Sequence, residues 1–391
     1  MKVLMHCQFL PDSVDGATTS ARALVRSLHK RGVRVTVCTT DLLWSAADYA
    51  RPLPEEVLVF RSRPRHPLQP APGMIAFFLR HLADYDLIHF REFFSLNTVL
   101  GAYLARSQRR PYLINPTGNA VPLWGERREV SRGTAKYLYC HLLARWALKG
   151  ASRIICDSPM EEEVTRRFLK TDNLMWIPYG VNPEEYGRDL PRKLLERQWG
   201  ISEEENIFLF LGRLSREKNL EFLLKAWDKA KSRGMTGTLV LAGGNKYNPA
   251  YPEYLRKVAA GLQHRDSVLL PGPVRGDLKR ALLQHSVCLL LPSLRESFGN
   301  VVLEALAAGT PVLASIGTPW QCLEEAGLGR CLPWDREAWV AAMVAAAMKG
   351  FPPKKEFAPR SRAWVAQNYS WERSADRYLE VYREVTGQAI T

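Results

Sequence analysis

The stretch SVCLLLPSLRESFGNVVLEALAAGTPVLAS, Ser286–Ser315, decides how the rest of the chain is read. Its first six residues form an apolar run ended by Pro292, the pattern of a strand buried on both faces. RESFGN is rich in turn formers, and VVLEALAAG reads as a helix of about two and a half turns stopped by Gly309 and Pro311. PVLAS is a second short buried strand. Strand, loop, helix and strand in that order make the unit of a parallel sheet covered by helices. Two carboxylates stand inside this unit, Glu296 in the loop and Glu304 well inside the helix. A carboxylate in apolar surroundings is costly unless something pairs with it, so each needs a partner.

The unit recurs outward in both directions. IFLFLGR is a strand, NLEFLLKAWDKAKSRG a helix, and GTLVLAGG and SVLLPG are further strands. Near the start, Val3–Met5 opens a strand and PDSVDGATTS a loop. ARALVRSLHKRG is a helix with Leu24 and Leu28 on one face and Gly32 as stop, and VRVTVCTTD alternates as a strand. DLIHF, PYLIN and SRIICD are strands, with helices at TVLGAYLARSQRR and around KYLYCHLLARWALKG. IPYGVNPEEYGRDLP, Ile177–Pro191, is Pro/Gly-rich and reads as a linker between two such series. The expected fold class is α/β with two doubly wound, Rossmann-like domains. The expected divisions are an acceptor-side domain over 1–178, a linker over 179–191, a donor domain over 192–368 and a closing helix over 369–391.

A chain of 391 residues exceeds one ordinary core, and 46% hydrophobic content is that of a folded globular protein. The net charge of +14 calls for an acidic partner: nucleic acid, an anionic membrane face or a phosphorylated small molecule. Residues 1–185 hold 25 Lys/Arg and 18 Asp/Glu, net +7, and the remainder 29 and 22, also +7. That even spread, with no recognisable motif, argues against nucleic acid as the partner. Cysteines 7, 38, 140, 156, 288, 322 and 331 fall at irregular spacings with no zinc pattern, so buried free thiols and a reducing cytoplasm are expected. The apolar segment before Pro11 is short for a signal peptide, and no run of 18 apolar residues offers a membrane span. GMIAFFLRHL, after the basic, Pro-rich RSRPRHPLQPAPG, is either a core helix or a segment that touches a membrane face.

Chemistry concentrates after two strands. IFLFLGR runs into LSREKN, so Gly212, Arg213 and Lys218 sit beyond the carboxyl end of a strand, where doubly wound sheets bind ligands. Gly212 lets backbone come close, Arg213 offers a planar fork for phosphate oxygens and Lys218 a point charge. Together the two cations can neutralise a diphosphate without a metal. In the opening stretch, Phe298, Gly299 and Asn300 stand at a helix start that favours an anion, and Asn300 is also a candidate cap. A ligand with a negative middle and hydroxyls at both ends fits this pattern, as in a nucleotide sugar. The plainer alternative is a polar turn and two solvated glutamates.

GRLSREKN and LPSLRESFGNVVLEALAAGTPV together resemble the donor domain of glycosyltransferase family 4, retaining enzymes of the GT-B fold. The resemblance extends over DGATTSARALVRSLHKRGVRVTV, YDLIHF, IPYGVN and the closing YSWERSADRYLEVY. It implies two domains facing a central cleft and transfer of a hexose from a UDP- or GDP-linked sugar to a glycan or lipid-linked acceptor. It implies cell-envelope or exopolysaccharide synthesis, in the cytoplasm or peripherally on the membrane's inner face, with no cofactor beyond the donor. By the same likeness, Arg213 and Lys218 hold the diphosphate with amides of Phe298, Gly299 and Asn300. Glu304 accepts from the ribose hydroxyls, and Glu296 meets the sugar and the positive charge at its anomeric carbon. Gly16, in the first loop, approaches the phosphates or the acceptor from the first domain, where His89 is an acceptor-side candidate, with a satisfied core or surface histidine as the competing reading. Pro116-Thr117-Gly118 stands where many relatives have Pro-His-Gly, which leaves the sugar's identity open, with Thr117 a second acceptor-side candidate. Tyr179 and Asn182 replace the linker's usual Asn and Asp. Asp84-Tyr85-Asp86 has the spelling of a metal motif but precedes a strand and reads as a turn. The alternative to an enzyme is a catalytically silent relative acting as a nucleotide-binding or scaffold subunit.

Overall fold

The computed structural model describes residues 1–9, 16–42, 44, 56–63, 70–93, 95–117, 139–245, 248–349 and 354–388. The chain divides into two compact units, Met1–Gly180 with Trp371–Thr391, and Val181–Ser370.

The first unit carries seven parallel strands: β1 (Lys2–His6), β2 (Arg34–Thr40), β3 (Val57–Phe60), β4 (Leu87–Phe90), β5 (Tyr112–Ile114), β6 (Arg153–Cys156) and β7 (Leu174–Trp176). Their order is β3-β2-β1-β4-β5-β6-β7, so the winding reverses between β1 and β4, paired from Val3↔Leu87 to His6↔Phe90. β4 is buried along its whole length, which is why its sequence shows no polar alternation. The helix Gly16–His29 buries Leu24 and Leu28 and ends before Gly32, whose φ of 78° suits the left-handed stop. It begins earlier than the sequence suggests, so Gly16 opens the helix rather than sitting in the loop. Residues 10–15, including Asp15, lie outside the described residues, as do 64–69 of the Pro-rich segment and Gly118.

GMIAFFLRHL forms the helix Pro72–His81, with Met74 and Phe78 fully buried and Ile75 and Phe77 packed against the core. Of the two readings of this segment, the core helix is the one the packing supports, with Leu79 left exposed. Asp84 closes a single 3₁₀ turn and Asp86 accepts the Lys2 N–H at 2.7 Å, which makes Asp84-Tyr85-Asp86 a helix-to-strand turn. The described part of KYLYCHLLARWALKG is a π-helical turn, Tyr139–Ala144, that runs into a short α-helix, Arg145–Lys149, instead of one long helix. Cys7, Cys38, Cys156 and Cys288 are buried free thiols, Cys322 and Cys331 half-buried, and the Cys140 side chain lies outside the described residues.

The closing segment forms the helix Trp371–Thr386, which packs on the helix Gly16–His29. Arg31 Nε meets Asp376 Oδ1 at 2.5 Å, and Ser374 Oγ donates to the Pro178 carbonyl at 2.9 Å.

The second unit has six parallel strands: β8 (Ile207–Leu211), β9 (Thr238–Ala242), β10 (Val268–Gly272), β11 (Ser286–Leu291), β12 (Val312–Ser315) and β13 (Gly329–Leu332). The order β10-β9-β8-β11-β12-β13 reverses between β8 and β11. The opening stretch forms β11, the helix Asn300–Ala308 and β12, as its pattern requires. The supposed linker is partly ordered: Asn182 Oδ1 accepts the Glu184 N–H at 3.2 Å and caps a short helix, Pro183–Gly187, that buries Tyr186. Val181 and Ser370, the ends of this unit, are joined by a β-bridge.

Candidate active site

The loops that carry the sequence-predicted residues leave the carboxyl ends of β8 and β11, the two strands at which the second unit's order turns. In an open parallel sheet the crevice at that turn is the ligand site, because the loops on either side splay apart. Gly212 still pairs with the neighbouring strand, its N–H donating to the Ala242 carbonyl at 3.0 Å. Beyond it Arg213 is half exposed, and a 3₁₀ turn, Arg216–Lys218, ends on Asn219 with φ of 56°.

Lys218 Nζ bonds directly to Glu296 Oε2, so the cation of one loop and the carboxylate of the other meet across the turn. Each side chain is 14% exposed, shielded enough for the charges to be felt and open enough for a ligand to compete. Ser293 Oγ adds a hydrogen bond to Glu296 Oε2 at 3.3 Å. Arg213 Nη2 meets Glu217 Oε1 at 2.8 Å, and the Glu217 carbonyl accepts the Leu294 N–H at 2.8 Å. Burial pushes the Glu217 carboxyl up, but the Ser215 hydroxyl, its own backbone N–H, Arg213 and Lys218 outweigh that, so its pKa ends below the usual range. Glu217 therefore ties the two loops by charge and backbone together.

Glu304 is likewise paired. Lys279 Nζ, from the helix Gly276–His285, lies 2.7 Å from Glu304 Oε1, and the Tyr186 hydroxyl also bonds to this carboxylate. Burial and the Glu304 charge hold the Tyr186 hydroxyl far from ionising. The Lys279 Nζ is 6.0 Å from the Tyr186 ring centre.

The helix between the glutamates starts at Asn300, with Gly299 as its cap residue in the left-handed region (φ 83°) and no side-chain cap. The expected cap by Asn300 is thus corrected: Asn300 is the first helical residue, and its Oδ1 is buried with no hydrogen-bond partner among the described residues. Phe298 is buried against Trp320 and Tyr369, with ring centres 5.2 and 6.2 Å away, and its carbonyl accepts from Trp320 Nε1. The loop is anchored from a third strand too, where Glu296 N–H donates to the Gly317 carbonyl at 2.9 Å. Among the described residues no group of three or more His, Cys, Asp and Glu side chains is placed to hold a metal ion.

In the first unit, His89 is fully buried. Its Nε2 lies 2.6 Å from Asn115 Oδ1 and its Nδ1 2.7 Å from the Tyr382 hydroxyl. Burial, with the nearby Arg91 charge, lowers its pKa to about 3, so the ring is neutral, Nε2 donating to the amide and Nδ1 accepting from the hydroxyl. His89 is a satisfied core histidine, which corrects its acceptor-side assignment. Thr117 is half-buried with φ of 51°, and its hydroxyl lies 3.0 Å from the carbonyls of Arg91 and Asn115. Gly16 lies in this unit, in a helix start described above.

Sequence reasoning missed Glu217, Lys279, Tyr186 and Gly317. Glu217 had a signal, being framed by Arg213 and Lys218 in one short loop. Lys279 and Tyr186 had none, since only tertiary packing brings them to Glu304.

Residues 191–322 match the family described as "Glycosyl transferases group 1", and residues 14–185 match "Glycosyltransferase Family 4". An uncharacterised glycosyltransferase of Methanocaldococcus jannaschii is 27% identical, covering 98% of each chain. The GDP-mannose:cellobiosyl-diphosphopolyprenol alpha-mannosyltransferase of Komagataeibacter xylinus is 24% identical over 100% of this chain and 95% of its own length. Among solved structures, Anabaena HepE in complex with UDP superposes with a TM-score of 0.77 at 19% identity, covering 98% of this chain and 100% of that one, a likeness of fold. With two doubly wound units, charged side chains gathered at a strand-order reversal and family matches across both units, the chain belongs to the group 1 glycosyltransferases of family 4 and has the GT-B fold.

Proposed function

We propose that this glycosyltransferase moves a hexose from a UDP- or GDP-linked sugar, with retention of anomeric configuration, to a glycan or lipid-linked acceptor. The observation that carries the reading is the pairing of Lys218 with Glu296 across the β8 and β11 loops. A diphosphate arriving there exchanges one anionic partner of Lys218 for another, and Arg213 adds a planar fork beside it. The release of Glu296 from Lys218 turns its carboxylate toward the sugar. As the bond from the anomeric carbon to the diphosphate oxygen breaks, positive charge grows on the sugar and negative charge on the leaving group. Glu296 steadies the first, and Arg213, Lys218 and the helix start at Phe298–Asn300 the second. Glu304 accepts from the ribose hydroxyls, with Lys279 and Tyr186 holding its carboxylate in place. No metal or cofactor is required by this arrangement.

A lipid-linked acceptor is supported by the Komagataeibacter relative, a mannosyltransferase that acts on a cellobiosyl-diphosphopolyprenol. Under this reading the protein works in the cytoplasm at the inner membrane face, in cell-envelope or exopolysaccharide synthesis. Titration calorimetry with UDP and GDP, followed by NMR of products from UDP- and GDP-hexoses, tests it. One nucleotide is expected to bind, and the linked hexose to be transferred or slowly hydrolysed with its anomeric configuration kept. Binding of neither, or an inverted product, would overturn the reading.

A further inference from the structure

The helix Leu96–Ser107 and the turn-and-helix Tyr139–Lys149 pack side by side in the first unit. They expose an unusual set of large apolar side chains: Tyr103 is 58% exposed, Leu142 62%, Leu143 42% and Trp146 39%. The four belong to one patch, because Tyr103 and Trp146 lie 6.2 Å apart between ring centres and Leu142 and Leu143 precede Trp146 by about one turn. Isolated exposed apolar residues need no explanation, whereas aromatic and aliphatic side chains gathered on one face mark an interaction surface.

The charge around the patch names the partner. Arg106, Arg109 and Lys149 are exposed at its edge, with the Arg106 guanidinium 5.0 Å from the Trp146 ring centre. From residue 96 to 111 and from 139 to 153 the sequence holds no Asp or Glu at all. On the next helix, Pro159–Leu169, Glu162 and Glu163 are taken up by Arg166 and Arg167 of the same helix. Within these two segments, basic residues without acidic neighbours around Trp, Tyr and Leu suit the interface of an anionic bilayer. There aromatic rings sit at headgroup depth, and Arg and Lys side chains lay their stems on the apolar layer and their charges among phosphates. Among the described residues no helix is long and apolar enough to cross a membrane, so the contact is one of lying on the surface.

We infer that this face of the first unit docks the protein onto anionic phospholipid, with Leu142, Leu143, Trp146 and Tyr103 entering the interface and Arg106, Arg109 and Lys149 meeting lipid phosphates. The inference deepens the proposed function by giving its lipid-linked acceptor a place of encounter, and it rests on that reading.

The test is co-sedimentation of the full-length protein with vesicles of phosphatidylcholine alone or with phosphatidylglycerol added. Wild type is expected to bind the anionic vesicles, less so in ~0.5 M salt, where screening is short-ranged. Leu142→Ser with Trp146→Ser, and separately the triple variant Arg106→Gln, Arg109→Gln and Lys149→Gln, are expected to bind roughly tenfold or more weakly. Unchanged melting temperatures and unchanged nucleotide-sugar hydrolysis in vesicle-free solution show that fold and donor site are intact. Wild type that ignores anionic vesicles, or variants that bind as well as wild type, would overturn the inference. So would a solution dimer that the same variants dissociate, since the face would then belong to a second copy. Hydrolysis without vesicles reads the donor site alone, so its absence counts against the transferase reading and not against the surface.

Discussion

At the scale of single residues, Lys218 and Glu296 matter because each is the other's partner. Removing one leaves a carboxylate or ammonium that water reaches, so the cost in stability is modest, about 1 kcal/mol. The cost in rate is expected to be much larger. Lys218→Ala should lower kcat/KM for transfer by about 10²–10³, as loss of a preorganised charge does elsewhere, and Glu304→Ala should raise the nucleotide dissociation constant. Calorimetry and initial rates check both; wild-type turnover in the two variants would remove the site assignment. His89 yields a prediction of another kind. Its folded pKa, about 3, lies below the ordinary 6.5, so below pH 6.5 the unfolded chain takes up a proton that the folded protein refuses. Its contribution to stability is full above pH 6.5 and is lost as pH falls toward 3. Asp157, raised to about 6 mainly by burial, acts oppositely between its ordinary 3.8 and 6, where the folded protein keeps a proton the unfolded chain has lost. His89→Gln should therefore gain on wild type by about 2–3 kcal/mol between pH 7 and pH 4.5, read from urea unfolding at both values.

At the scale of elements, the strand-to-helix loops were the legible part of the sequence. An apolar run, a turn-rich loop and a second apolar run with a different period place Glu296 outside the helix and Glu304 inside it without any knowledge of packing. What covers those carboxylates was not legible, since Lys279 is 25 residues from Glu304 along the chain and lies on another helix. Which of the two readings of His89 holds was not legible for the same reason. Its strand points it at the C-terminal helix, where Tyr382 stands 293 residues away in sequence. Nothing local marks a strand residue as covered by so distant a helix. The loop that holds Glu296 also depends on a glycine that sequence reasoning passed over. A Cβ on Gly317 would stand 2.4 Å from the Leu294 carbonyl oxygen and 2.6 Å from that of Ser293, both rigid backbone. Gly317→Ala should push the loop away, costing about 1–3 kcal/mol of stability and displacing Glu296, whose N–H bonds to the Gly317 carbonyl. A fall in kcat larger than the change in nucleotide affinity is the expected signature, and unaltered kcat would dismiss the role of Gly317.

At the scale of the whole molecule, the side chains gathered around Lys218, Glu296 and Glu304 all lie in the second unit, whose ends, Val181 and Ser370, pair with each other. Expressed as Val181–Ser370, that unit is expected to fold and to bind the same nucleotide as the full chain, within about threefold in dissociation constant. Failure to bind in a folded fragment would mean that the first unit supplies nucleotide contacts. The doubly wound architecture of both units was legible from alternating strands and helices. Which of the two readings of GMIAFFLRHL holds was not legible, because hydrophobicity alone does not distinguish the buried Met74 and Phe78 from the exposed Leu142 and Trp146.

The helix Trp371–Thr386 belongs to the unit that begins at Met1, although the whole second unit is made before it. On the ribosome, the first unit's sheet therefore emerges early and stays uncapped. Asn115 and His89 lack their tyrosine partners until Tyr378 and Tyr382 have been made. The second unit, continuous in sequence, is free to fold meanwhile. A nascent chain halted shortly after Ser370 should thus show a protease-resistant second unit beside a first unit still open to digestion, and releasing the last helix should close it.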